Sequence, residues 1–203
     1  MDIRLAAQSD LPAVRGLLEA LYIDNLSEAE RAQGFLSVRF TLEDLAQMVA
    51  EAGIVIAADG PQVVGAVCSS PWRAGEGRGV MGAMSRAIEI ASFEGRPLAS
   101  RRLIVFGPAA MAPAHRGRHV LRGLFESLRR HVSGRWDTGV VFVAHANPHS
   151  MRGCEAFGMK RIADFQHEGR GYTLLIFPIA PSGQWRPGGS ASKRGVALPD
   201  VCG

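Results

Sequence analysis

The chain has 203 residues, 47% of them hydrophobic and 21% charged, which is enough apolar content for one good core and so for a single domain with a tail. Its formal net charge is +4 and its isoelectric point is near 9.4; all but Lys160 and Lys193 of its 23 basic residues are arginine, a bias that suits a polyphosphate ligand or an acidic partner and that codon composition alone also produces. The apolar runs at 140–144 and 172–176 are far short of a membrane span, Met1-Asp2-Ile3-Arg4 does not open a signal peptide, and no nucleic-acid motif is present, so neither membrane nor nucleic acid is an expected partner. Three widely spaced cysteines, Cys68, Cys154 and Cys202, fit a reduced, cytoplasmic setting.

Residues 3–6 read as a short strand. Ser9-Asp10-Leu11-Pro12 is a helix start with Ser9 or Asp10 as cap and proline in the first turn, and Leu11, Val14, Leu17, Leu18 and Leu21 form its buried stripe. Residues 22–40 are mixed and contain a short helix. Thr41-Leu42-Glu43-Asp44 offers a capping box for a helix that buries Leu45, Met48 and Val49 and stops at Gly53. Residues 54–58, the turn Asp59-Gly60-Pro61 and residues 63–69 make a hairpin. Residues 71–101 then form an insertion: a glycine-rich loop, a helical stretch from about 81 to 93, and a second loop. Residues 162–167 and 172–179, separated by Glu168-Gly169-Arg170-Gly171, read as a closing hairpin, and 181–203 as a Pro/Gly/Ser-rich tail.

Chemistry concentrates at Phe106-Gly107-Pro108-Ala109-Ala110-Met111-Ala112-Pro113-Ala114-His115-Arg116-Gly117-Arg118-His119-Val120. Residues 102–112 read as a buried strand, and Val120, Leu121, Leu124, Phe125, Leu128 and Val132 recur at helical spacing. The turn between them aims unpaired N–H groups at whatever sits above it, at the positive end of the helix dipole. Arg116, Arg118 and Arg122 add guanidinium forks suited to phosphate, and Arg129 and Arg130 follow on the same helix against a single Glu126.

This string resembles the coenzyme A loop of the GNAT (GCN5-related N-acetyltransferase) superfamily, in which Gly-Pro, three small or apolar residues and x-Pro-x-x-Arg/Gln-Gly-x-Gly-x-Gly/Ala follow one another. Gly107-Pro108, Ala109 to Met111, Pro113 and Arg116-Gly117 fall in place, whereas His119 and Leu121 stand where small residues are usual. A second landmark follows: Val140-Val141-Phe142-Val143-Ala144, then Asn147-Pro148-His149-Ser150, then Glu155-Ala156-Phe157-Gly158-Met159. The resemblance covers residues 1–180 and implies an α/β (α+β) fold, a mixed sheet of six to seven strands flanked by helices and splayed between its fourth and fifth strands, with residues 71–101 inserted between the third and fourth.

It implies N-acetyl or acyl transfer from acetyl-CoA to an amine by direct attack. The Met111 N–H would polarise the acyl carbonyl, the turn Arg116, Gly117, Arg118, His119, Val120 and Leu121 would hold the pyrophosphate, and Asn147 would contact pantetheine or cap the next helix. Cys154 aligns with the family's usual tyrosine acid and is read either as that acid or as a small packing residue. For the base, Glu89, Asp24 and Glu19 are candidates, with exposed surface charge as the other reading of each. Tyr22, Asp24 and Phe106 are candidates for the acceptor pocket, core packing being the other reading of the two aromatics. Two further functions stay open: an acyl-carrier-protein donor, which lacks the pyrophosphate, and a binding or regulatory protein that has lost catalysis. The acceptor is open, and so is a homodimer. Gly77-Arg78-Gly79-Val80-Met81-Gly82 matches G-x-G-x-x-G but lies past the strand end and lacks the acidic partner a dinucleotide needs. The pairs His115/His119 and His145/His149 lack a carboxylate in a zinc spacing, so no metal is expected.

Overall fold

The computed structural model describes residues 1–116 and 119–179; Gly117, Arg118 and the expected tail at 181–203 lie outside them. Seven strands form one mixed sheet in the order β1-β2-β3-β6-β7-β9-β8, with β1 Asp2–Leu5, β2 Ile54–Asp59, β3 Gln62–Pro71, β6 Leu103–Met111, β7 Thr138–Ala144, β8 Lys160–His167 and β9 Arg170–Pro178. A separate two-stranded ribbon pairs β4 (Ser92–Phe93) with β5 (Arg96–Pro97). The central strands carry near-continuous apolar runs because both faces of the sheet are covered.

Alternation along the strands divides the core. Ile104 and Phe106 of β6 face α5 (Val120–Val132), whose Leu124, Phe125, Leu128 and Val132 lie at helical spacing, while Leu103 and Val105 face Met84 and Ile88 of α4 (Gly79–Ile90). On the α4 side of the sheet, α1 (Leu11–Ala20) buries Leu11, Val14 and Leu18 beside Leu45 and Met48 of α3 (Leu42–Glu51). The expected capping box of α3 is present: the Asp44 N–H donates to Thr41 Oγ1 (3.1 Å) and the Thr41 N–H to Asp44 Oδ2 (2.7 Å). Asp10 departs from expectation. Its carboxylate accepts from the Ala7 N–H (2.8 Å) and from Arg4 (2.6 Å), stabilising the turn before α1 rather than α1 itself.

In the mixed segment the short helix is α2, Glu28–Arg31, with Ser27 as cap. In the insertion, α4 starts at Gly79 and ends at Ile90, earlier at both ends than the sequence suggests. Glu94 and Gly95 both take positive φ (52° and 73°), the geometry of a tight two-residue turn, and this makes a ribbon of the expected loop.

One irregularity positions everything that follows. Strands β6 and β7 run parallel but pair over three positions only, Leu103↔Thr138, Ile104↔Gly139 and Val105↔Val140. Beyond Val105 the register of β6 on β3 breaks, Ser69 pairing with Phe106 and Val67 with Ala109, so that Gly107 and Pro108 together oppose Cys68. Such a bulge bends its strand, and Pro108 has no N–H for a ladder. The sheet therefore opens into a wedge between its fourth and fifth strands in chain order, as the resemblance implies.

Candidate functional site

Three hollows lie in a row along this wedge. The first is a cleft of about 500 Å³ between the start of α5, α6 (Pro148–Ala156) and residues 33–36. The second is a cavity of about 170 Å³ inside the wedge, and it shares Phe35, Leu36, Ala109 and Ser150 with the first. The third, about 450 Å³, opens towards α3 and α4 and shares Val38, Phe40, Met48, Ser70, Met81 and Val105 with the second.

The inner edge of β6 supplies backbone donors. The Ala112 N–H donates to Val64 O of β3 (2.8 Å), and alternate residues of an antiparallel strand turn their polar groups to opposite sides, so the N–H groups of Met111 and Ala109 face the wedge. At the start of α5, His119 takes φ +56°, the left-handed conformation for which the usual glycine is suited, and no described side chain caps the helix. Val120 and Leu121 line the cleft below it while packing against the core.

Arg116 lies in the first cleft, yet two of its donors are engaged: Nε to Met111 O (3.4 Å) and Nη1 to Gln33 O (3.1 Å). Arg122 also lines this cleft, over the Phe157 ring and 3.9 Å from Glu126. Arg129 and Arg130 correct the sequence reading of one basic cluster. They fall in the last turn of α5, where cations complement the negative helix end, and Arg129 donates to Pro178 O (2.9 Å).

The Asn147 side chain does two structural jobs. Its Oδ1 accepts from the Ser150 N–H (3.1 Å), capping α6, and its Nδ2 donates to Phe35 O (2.9 Å). Cys154 borders the middle cavity, and burial, helped by Glu155, pushes its thiol up to about 11. Such a thiol is protonated at neutral pH, but passing its proton to an ordinary thiolate of reference value about 8.5 runs uphill by roughly 3 kcal/mol, which favours the packing reading. Phe106 combines both of its readings: it borders the cavity and packs edge-on against Phe125 and Phe177.

Four candidates line none of these hollows. Tyr22 packs under Arg39 (4.2 Å), Glu19 lies 3.4 Å from the same Arg39, Asp24 is exposed on the turn Ile23–Asn25, and Glu89 accepts from the Gly75 N–H (3.0 Å), bracing the loop before α4. Gly117 and Arg118 lie outside the described residues. What sequence reasoning missed is the third hollow, where Arg39, Arg73 and Arg78 mingle with Asp44, Glu51 and Glu76 around Phe40, Trp72 and Met81. Arg73 lies 3.2 Å from Glu51 and, first among the causes, holds its carboxyl below the usual range. By contrast, the first cleft carries Arg116, Arg122, His115, His119 and His149 and, among the described residues that line it, no carboxylate. Burial, then Arg116 and Arg152, lower the His149 pKa. Among the described residues there is no cluster of three or more metal-ligating side chains, and no helix is long and apolar enough to cross a membrane.

No family model and no curated protein matches the sequence. Solved structures do resemble the fold. Arabidopsis thaliana NAA60, solved with a bisubstrate analogue, is similar with a TM-score of 0.60 at 14% identity, over 87% of this chain and 97% of that one. Salmonella typhimurium yncA, solved with its cofactor acetyl-CoA, gives 0.59 at 15% identity over 100% and 99%. A GNAT superfamily phosphinothricin acetyltransferase from Sinorhizobium meliloti, in complex with AcCoA, gives 0.57 at 15% over 92% of each chain. The seven-stranded mixed sheet, its opening between β6 and β7 and these neighbours agree: the chain has the GNAT fold.

Proposed function

We propose that the protein is an N-acyltransferase that takes an acetyl group from acetyl-CoA and gives it to an amine. The observation that carries this reading is the wedge with its inward-facing N–H groups at Ala109 and Met111, set between a cleft whose described titratable lining is all basic and one that bears carboxylates. An extended, amide-bearing arm adds to such an inner edge as a strand would. The residues present fit the donor: the middle cavity is narrow and mostly apolar, and the basic cleft beyond it carries the uncapped start of α5, which favours a pyrophosphate.

Acetyl-CoA supplies an activated thioester. In this reading the Met111 N–H hydrogen-bonds the acyl oxygen and stabilises the charge that develops there, while His119 and Arg122 face the phosphates. The acceptor enters from the third cleft. Glu51, held ionised by Arg73, offers an ammonium a local contact at the mouth, where the amine gives up its extra proton to water in the open third cleft before its nitrogen attacks. The carbon–sulfur bond breaks, the amide nitrogen's second proton passes to the departing thiolate, and no covalent bond to the protein forms. The test is calorimetric titration with acetyl-CoA, followed by chromatographic assay of CoA release over a panel of amines. Binding within about 1 μM to 1 mM and amine-dependent release support the reading. Absence of binding at millimolar donor overturns it.

A further inference from the structure

Residues 33–40 form neither helix nor strand, apart from a single bridge at Leu36, yet they touch every part of the site. Gln33 to Leu36 wall the basic cleft, Phe35 to Val38 and Phe40 wall the cavity, and Val38 to Phe40 wall the third cleft. This stretch is tied down from both arms of the wedge. From the β6 arm, Arg116 holds Met111 O with one donor and Gln33 O with another (3.4 and 3.1 Å). From the β7 arm, Asn147 caps α6 with its oxygen and holds Phe35 O with its amide nitrogen (3.1 and 2.9 Å). Between the two anchored carbonyls sits Gly34, buried at φ +98°, where a Cβ would come within 3.2 Å of His149 Cδ2. The backbone there lies flat against α6 because the residue has no side chain.

We propose that Arg116 and Asn147 are positioning residues that strap residues 33–40 across the wedge and thereby keep water from the cavity in which the thioester sits. This rests on the acyl-transfer reading for its purpose but not for its geometry. A guanidinium bridging two carbonyls and a primary amide with one donor and one acceptor in use are matched to the task. Lysine, with a single point charge, and aspartate, with no donor, are not. The strap also explains why the two sequence landmarks carry these residue types: each landmark supplies one anchor, and the anchors meet on the same eight residues.

Two variants isolate the strap. Asn147→Asp keeps the oxygen that caps α6 and removes the donor to Phe35 O; Gly34→Ala lifts the backbone without adding charge. The first readout needs no donor: alkylation of the full chain with iodoacetamide, with mass spectrometry comparing Cys154, which borders the cavity, with Cys202 as internal reference. Loss of one such hydrogen bond is expected to raise the Cys154/Cys202 ratio about tenfold in each variant. A ratio unchanged within about twofold in both, against that range, overturns the strap. The second readout is CoA released from acetyl-CoA without any amine, with Arg116→Ala added for hydrolysis alone because its charge also lines the basic cleft. The strap predicts hydrolysis up by about tenfold in all three variants, while donor affinity in Asn147→Asp and Gly34→Ala changes less than about threefold. Donor affinity weakened about tenfold in Asn147→Asp with hydrolysis unchanged would make Asn147 a direct donor ligand and end the proposal. If the wild-type protein binds no acetyl-CoA, the acyl-transfer reading falls, and the alkylation ratio still decides the strap.

Discussion

The two clefts at the ends of the wedge are alike in size and opposite in electrostatic design. The first cleft carries Arg116, Arg122 and three histidines and no carboxylate among its described lining residues; the nearest acids stand outside that lining, Glu126 3.9 Å from Arg122 and Asp59 3.4 Å from His115. The third cleft carries arginines and acids together in its lining, and Arg73 and Glu51 satisfy one another at 3.2 Å. A lining of one sign favours a multivalent anion. A lining of mixed sign selects by shape and by local contacts.

Blocking the passage between the clefts gives the largest expected effect. Ala109 borders both the donor cleft and the cavity, and Ala109→Trp is expected to lower transfer by about a hundredfold or more with little change in melting temperature, because it displaces the reacting atoms. Unchanged turnover in that variant would show that the two ends do not communicate through the wedge. Next, Arg122→Glu should weaken acetyl-CoA about tenfold, and raising salt should weaken the donor more than the amine, since the donor carries more charge and the described charged side chains lining the first cleft are all basic. Equal salt slopes for the two ligands, read by calorimetry and by KM, would erase the contrast.

Glu51→Gln is a smaller change on the other side. It leaves Arg73 with Glu76 alone, 3.8 Å away, and the KM for an amine should rise up to about fivefold while acetyl-CoA affinity stays constant. The smallest effect is on stability. Burial holds the pKa of His131 and His149 below the ordinary value of about 6.5, so the unfolded chain takes up these protons first and stability falls as pH drops through that value. Asp10, Glu51 and Asp164 have carboxyls lowered chiefly by Arg4, Arg73 and Thr173, and their contribution is lost below about pH 4. Melting temperatures from pH 8 to 3 should therefore decline in two steps; a flat profile across the first would remove the histidines from the account.

The same contrast governs what the sequence made legible. The first cleft is nearly contiguous: β6, its bulge, the turn and α5 lie in one string, so the resemblance carried by that string named Met111, Arg116, His119, Val120 and Leu121 together, and they line one cleft. The third cleft is assembled from 38–51, 70–85 and Val105, segments joined by tertiary packing alone, and no local pattern links Asp44 to Trp72. Glu89 failed as a pocket candidate because helical periodicity places Ile88 in the core but does not say which neighbour the exposed face meets. The strap was invisible for a different reason. Residues 33–40 have no periodicity, and what holds them is a set of side-chain bonds to backbone carbonyls, which no residue type in the strap advertises. The arginine bias has part of its explanation here as well: Arg31, Arg101, Arg102 and Arg135, like Arg116 and Arg129, donate to main-chain carbonyls.

The opening of the sheet also bears on where this protein keeps an unpaired strand edge. A strand edge able to accept an extended amide chain is equally a template for another protein's strand, and exposed edges of that kind drive self-association. Here the adhesive edge is placed inside the molecule, between β6 and β7, behind residues 33–40 and α6, where a thin, flexible arm can enter and a folded chain cannot. Of the two outer edges, β1 is four residues long and alternates Asp2 and Arg4 with its apolar side chains, and β8 is eight residues long and carries Lys160, Arg161 and Asp164, charges of the kind that discourage edge pairing.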